Sequence, residues 1–354
     1  MRSKVLQSFS VRALATLLLS VAAAWAFTWL RLPLPWILGP LVAVGGASMM
    51  GAPTASWTPL RNAGQLTIGA ALGLYFTPAV AAVVASLWWI VGLSILWAFA
   101  LGMAFGYWLY RVNKDRMPGL TRATAFFAGA IGGASEMTLL AERSHANARA
   151  DLVAAAHSLR MVMVAVLVPF AFTFSGLHGV DLTPAGPRIT HLPGLALLLG
   201  LGVGCAWLLG WMGRSNPWFM GSLLVATGLT LAEIQLSAIP PWLSNAAQLT
   251  MGASMGVRFT AGFVHTAPRW LGTVMVGTLA MIVLCAVFGW ALAWASGLPA
   301  ATMILATAPG GIAEMAITAK VLQLGAAVVT TCHVCRLVAV LMLIGPLFRK
   351  LRIA

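Results

Sequence analysis

Apolar runs long enough to cross a bilayer recur along this chain, and they recur in the same order in its two halves. A spanning helix needs about 20 apolar residues. Residues 13–30, 80–109, 152–174, 195–211, 271–294 and 326–347 read as such spans, with shorter apolar segments at 35–50 and 63–76. With 60% hydrophobic and 8% charged residues and a mean hydropathy of +0.93, the chain lies outside the range of soluble domains. Arg2 and Lys4 followed by an apolar run ending near Ala22-Ala23-Ala24 imitate a signal peptide, but the run is long enough to span and leads into further segments. It reads as a retained first helix.

The duplication is detailed. Pro35-Trp36-x-x-Gly39 returns as Pro217-Trp218-x-x-Gly221, and Asn62-Ala63-Gly64-Gln65-Leu66-Thr67 returns as Asn245-Ala246-Ala247-Gln248-Leu249-Thr250. Gly132-Gly133-Ala134-Ser135-Glu136-Met137 returns as Gly310-Gly311-Ile312-Ala313-Glu314-Met315, and His157-x-x-Arg160 as His333-x-x-Arg336. The expected organisation is therefore two repeats, 1–178 and 190–354, joined by a Gly/Pro-containing linker at 175–193.

The net charge of +14 comes from basic residues scattered singly at the ends of apolar runs, as cytoplasmic loops carry them, and not gathered on a nucleic-acid-binding face. Their placement discriminates between two topologies. If both Gly-Gly segments cross the membrane, the repeats are parallel and the Lys/Arg residues divide twelve to seven. If each Gly-Gly segment is a re-entrant hairpin, the repeats are inverted. All but Arg31, Arg188 and Lys320 then fall on the cytoplasmic side, sixteen to three, with Arg160 and Arg336 inside the membrane under either scheme. The positive-inside rule selects inversion. The predicted fold is an all-α polytopic membrane protein of two inverted five-span repeats, about ten spans plus two re-entrant hairpins. Both termini are expected on the cytoplasmic side of the membrane.

Of seven acidic residues, Glu136 and Glu314 occupy equivalent places inside apolar sequence. Each falls in the first turn after a glycine break at Gly132-Gly133 or Pro309-Gly310-Gly311, where a half-helix leaves N–H groups unpaired. Capping alone accounts for such a residue at about 0.3–1 kcal/mol. An ionised group at membrane depth costs about 2.5–3.5 kcal/mol, which argues for function. Arg160 and Arg336 lie mid-span. Two readings stand: a fixed ion pair with the nearby glutamates, or a guanidinium free for an oxyanion. His157 and His333 precede them by three residues and share their helical face, either as proton carriers or as satisfied core residues. Asn62, Gln65, Thr67, Asn245, Gln248 and Thr250 are candidate lining groups or polar packing.

No metal or cofactor is expected. Cys332-His333-Val334-Cys335 has no thiol in its counterpart Ala156-His157-Ser158-Leu159, and the six histidines do not cluster in sequence. Cys205, Cys285, Cys332 and Cys335 all lie in apolar segments, so a disulfide framework is not expected.

These motifs resemble the bacterial membrane AbrB family, built from a duplicated "AbrB duplication" domain. The likeness rests on Leu34-Pro35-Trp36-Ile37-Leu38-Gly39-Pro40, the Gln-Leu-x-x-Gly segments and Pro309-Gly310-Gly311-x-x-Glu314-Met315. It also includes the His-x-x-Arg pairs, followed by Pro169 or Pro346. Repeat one departs from the pattern with Ile131 where repeat two has Pro309. The resemblance implies fold and membrane location. The family's labels, regulator of gene expression and ammonia monooxygenase, imply little chemistry, and a monooxygenase is not expected here. The functional expectation is a secondary transporter of a small solute, an anion among the candidates. Its partners are the bilayer and that solute, with no direct nucleic-acid contact and a homo-oligomer compatible with the sequence. The alternative is a membrane-embedded sensor acting on expression indirectly.

Overall fold

The computed structural model describes residues 8–144, 146–175, 189–214, 216–259 and 267–351. Arg2, Lys4, Arg188 and Arg352 of the charge count, His145, His178 and His265, and most of the linker lie outside the described residues. Among the described residues all regular structure is helical. Repeat one comprises α1 (Phe9–Trp29), α2 (Pro35–Met49), α3 (Thr58–Gly73), α4 (Pro78–Ser86), α5 (Trp88–Asn113), α6 (Arg122–Gly129), α7 (Ala134–Arg143) and α8 (Ala150–Ser175). Repeat two comprises α9 (Leu192–Trp211), α10 (Pro217–Leu231), α11 (Pro241–Gly256), α12 (Pro268–Ser296), α13 (Ala300–Thr307), α14 (Ile312–Val321) and α15 (Ala326–Lys350).

Six of these, α1, α5, α8, α9, α12 and α15, are long and apolar enough to cross a membrane, or seven spans if the bent pair α3–α4 counts as one. The other candidate spans, α2, α3, α10 and α11, have 15 or 16 residues. At 1.5 Å per residue they measure about 22–24 Å, short of a ~30 Å hydrocarbon core. The expected span at 80–109 is interrupted. Leu87 leaves the helical region at φ −94°, ψ 18°, separating α4 from α5. Pro78 opens α4 at an 85° bend from α3, since proline cannot donate the bond that would extend the preceding helix.

The long helices carry their bulk outward. On α1 the small residues Ala13, Thr16, Ser20 and Ala24 are buried, while Leu14, Leu18, Trp25 and Trp29 are exposed. On α9, Trp207 and Trp211 are exposed likewise. Small residues inside and large apolar ones outside is the order of a helix packed in lipid, with tryptophans near its ends.

The repeat persists in backbone detail. Left-handed residues recur at equivalent sites: Arg31 with Gly213, Leu34 with Asn216, Gly51 with Glu233, Gly119 with Gly297, and Asn147 with Gln323. An L side chain in this region costs about 1–2 kcal/mol, whereas glycine sits there freely. Glu233 is exposed and its counterpart is Gly51. Glu233→Gly is therefore expected to stabilise the protein by about 1 kcal/mol, read as a higher melting temperature in detergent. A lower one would mean the Glu233 side chain makes a contact that outweighs the strain.

The chain divides into two compact units that each take equivalent helices from both repeats. One spans residues 1–83, 181–265 and 316–321; the other spans 84–180, 266–315 and 322–354. In the first unit α1 packs on α2 as α9 packs on α10, α2 packs on α11 as α10 packs on α3, and α3 packs on α11. Glycine lets these helices approach closely. A Cβ on Gly69 would strike Phe219 O, and one on the equivalent Gly252 would strike Ile37 O. In the second unit α5 packs on α6 as α12 on α13, α6 on α8 as α13 on α15, and α8 on α12 as α15 on α5. Within each unit, equivalent helices of the two repeats thus exchange equivalent contacts.

Candidate functional site

The second unit holds both glycine breaks. α6 stops at Gly129 and α7 starts at Ala134; α13 stops at Thr307 and α14 starts at Ile312. The residues after the first half-helices, Ala130 and Ala308, have the same extended conformation, φ −54° with ψ 137° and 144°. Each break therefore exposes a set of helix C-terminal carbonyls and a set of helix N-terminal N–H groups within four residues.

Buried cations meet the carbonyls. Arg160 Nη2 donates to Ala130 O at 2.9 Å, and Nη1 lies at the long end of hydrogen-bond range from Ala128 O and Gly129 O, at 3.5 and 3.4 Å. Arg336 Nη1 donates to Ala308 O at 2.7 Å, and Nη2 donates to Gly310 O at 2.7 Å. Each guanidinium fork thus caps the end of a half-helix, where the helix dipole places partial negative charge. Both arginines are at most 5% exposed.

The histidines complete these latches. His157 Nε2 pairs with Phe127 O at 2.9 Å and His333 Nε2 with Leu305 O at 3.0 Å. A carbonyl only accepts, so Nε2 carries the proton in each ring. The bare Nδ1 then accepts from its arginine, at 2.8 Å in repeat one and 2.9 Å in repeat two. Both imidazoles are neutral in this arrangement, because a proton on Nδ1 would face the guanidinium. The i, i+3 spacing places each His–Arg pair on one helical face, as the sequence predicts. The bonds described here take the two guanidinium groups to main-chain carbonyls and to the histidine on the same helical face.

The carboxylates lie at the other lip of each break. Glu136 and Glu314 fall in the first turns of α7 and α14. Their side chains fold back over the second glycine, so that a Cβ on Gly133 or Gly311 would overlap the Glu136 or Glu314 carboxylate. The first glycine answers to the methionine. A Cβ on Gly132 would lie 2.9 Å from Met137 Cε, and one on Gly310 would lie 2.7 Å from Met315 Cγ. Both methionines are fully buried. The Gly, Glu and Met positions of Gly-Gly-x-x-Glu-Met thus pack on one another, and the packing of Met137 and Met315 against the first glycine is not signalled by the sequence. Glu314 is 7% exposed, and Glu136 is half-buried.

The two tips differ at Pro309 and Ile131. Arg336 reaches past Pro309 to Gly310 O, while Arg160 turns back to Ala128 O and Gly129 O. Beside the first tip, Ala130 and Ile131 line a small apolar cleft with Phe99, Met103, Phe126 and Val340. At the surface, Arg149 and Asp151 form an ion pair at 2.6 Å that raises the pKa of Arg149, chiefly through the hydrogen bond.

Asn62, Gln65, Thr67, Asn245, Gln248 and Thr250 belong to the other compact unit. They lie on α3 and α11, where Gly64 packs against Thr250 and Ala247 O. Thr67 and Gln248 are buried, and Thr250 donates to Ala247 O at 2.9 Å.

The family model described as "Transition state regulatory protein AbrB" matches residues 36–352. Two curated relatives align over nearly their whole lengths. "Uncharacterized protein YhjN" of Bacillus subtilis (strain 168) is 24% identical over 363 residues, covering 94% of this chain and 91% of the relative. "Putative regulator AbrB" of Escherichia coli (strain K12) is 28% identical over 335 residues, covering 93% of this chain and 92% of the relative. The family match takes in both glycine breaks and both His–Arg latches, and the chain belongs to the AbrB family.

Proposed function

We propose that this protein is an inner-membrane secondary transporter whose two broken helices form one solute site, with Glu136 and Glu314 as its coupling groups and the repeats inverted in the bilayer. The observation that carries the reading is the paired architecture of the tips. Two equivalent interrupted helices in one compact unit each keep a carboxylate at the N-terminal lip while a buried arginine neutralises the C-terminal lip. Interrupted helices with ion-binding ends at a repeat interface are the plan of many secondary transporters. The guanidinium forks are turned to carbonyls, so a solute reaching the tips meets carboxylates and half-helix N-termini. An anionic solute enters this scheme together with protons on Glu136 and Glu314; a cation or a neutral solute enters without them. The reading assigns no enzyme activity.

Inversion is tested with impermeant thiol reagents on single cysteines in a cysteine-free background. Asp115→Cys, after α5, is expected to label from the cytoplasmic face, and Leu298→Cys, at the equivalent place after α12, from the other face. Labelling of both from one face would rule inversion out.

The name of the Escherichia coli relative favours a second reading, a membrane regulator that binds a ligand at the same tips. It predicts binding without flux. A thermal-shift panel of carboxylates, amines, amino acids and monovalent cations across pH identifies the ligand under either reading, and its effect is expected to be lost in Glu314→Gln. A ligand that stabilises Glu314→Gln as well as the wild type would place binding away from the tips.

A further inference from the structure

The first compact unit carries a charged feature of its own. Arg61, in the first turns of α3, lines a small open cleft with Thr16 and Leu17 of α1, Trp57, Leu60, and Thr250 of α11. Its Nε is enclosed and has no hydrogen-bond partner. Nη2 reaches Asn62 Oδ1 only at 3.4 Å, the long end of the range.

The two threonines of the cleft are already engaged. Thr16 Oγ1 donates to Arg12 O at 2.8 Å and accepts from Ala55 N at 3.0 Å. Thr250 donates to Ala247 O. Arg12, one turn before Thr16, repeats the situation, with an enclosed Nε and no partner. Glu233 is the single acidic residue among the described residues of this unit. Buried donors are nearly always paired, and a guanidinium N–H enclosed without an acceptor is complementary to an oxyanion.

We infer that the Arg61 cleft is a binding site for a phosphate-type oxyanion, carried by the headgroup of an anionic phospholipid. The surroundings favour the lipid over a free ion. Leu17 and Leu60 offer apolar surface beside the cation, and Trp57, 55% exposed, stands at its rim, as aromatic residues do at headgroup depth. The site belongs to repeat one alone, because Ser244 and Pro240 stand at the places of Arg61 and Trp57 in repeat two.

The test uses the delipidated full-length protein in neutral detergent and its melting temperature. Dioleoylphosphatidylglycerol, dioleoylphosphatidylcholine and inorganic phosphate are added separately to wild type, Arg61→Gln, Arg61→Lys and Arg214→Gln. Phosphatidylglycerol is expected to raise the melting temperature of wild type and Arg214→Gln by several degrees more than phosphatidylcholine does. That excess is expected to vanish in Arg61→Gln and to shrink in Arg61→Lys, whose ammonium lacks Nε. If Arg61→Gln does not fold, wild type against Arg61→Lys decides. An Arg61-dependent shift with inorganic phosphate alone supports the oxyanion site and assigns it to a free ion. Equal phosphatidylglycerol shifts in wild type and the Arg61 variants, with no Arg61-dependent phosphate shift, overturn the inference.

Discussion

Arg336→Met is expected to lower the unfolding free energy by about 3–5 kcal/mol, the usual cost of removing one partner from a buried charged network. The side chain that remains is of similar length but cannot donate. Ala308 O and Gly310 O lose their donors at 2.7 Å, and His333 Nδ1 loses its donor at 2.9 Å. These groups are buried or half-buried at the end of a half-helix, where an unmet carbonyl is costly. Arg160→Met strips Ala130 O and His157 Nδ1 in the same way and is expected to cost a similar amount. Lysine at either position restores the charge without the fork, so about half of the loss should return. Melting in detergent measures the loss, and hydrogen exchange across residues 308–311 locates it. A loss below about 1 kcal/mol, with exchange unchanged, would mean the carbonyls find other donors.

Glu136→Gln and Glu314→Gln are expected to separate function from folding. The amide keeps the shape of the carboxylate and an acceptor oxygen over the first turn of its half-helix, so stability should change by only about 0.3–1 kcal/mol. It cannot carry a proton or a negative charge. Coupled flux is therefore expected to fall on the order of a hundredfold in either variant, the scale on which removing a proton-transferring group slows a step. Stopped-flow uptake into proteoliposomes gives the rate, and melting temperature reports the fold. A large loss of stability with flux scaling to folded protein would reassign both glutamates to capping.

Much of this arrangement was legible in the residues. The duplicated order of apolar runs predicts paired helices, and the structure continues the pairing down to left-handed residues such as Gly51 and Glu233. The Gly-Gly-x-x-Glu spacing predicts a break with a carboxylate in the next first turn, and Glu136 and Glu314 are found there. The partners of Arg160 and Arg336 were not legible, because a main-chain carbonyl has no residue signature. Sequence pattern draws attention to charged side chains such as Glu136, whereas the acceptors at Ala130 and Ala308 exist only because α6 and α13 end there. The packing of Met137 and Met315 is hidden for a related reason: a buried methionine in apolar sequence looks like ordinary packing until it is seen to lie against the glycine of the break. The interleaving of the repeats into two units depends on long-range pairs such as Gly69 with Phe219 and Gly252 with Ile37, which local periodicity does not encode. Leu34 in the left-handed region runs against its own preference and becomes intelligible only beside Asn216.

The most direct test is flux itself. Wild-type protein is reconstituted into proteoliposomes, and the solute found by thermal shift is applied across the bilayer while internal solute and internal pH are followed together. The account predicts saturable uptake that is lost when Glu136 and Glu314 are both replaced by glutamine. Binding of the solute with the same affinity but no movement across the bilayer would contradict it.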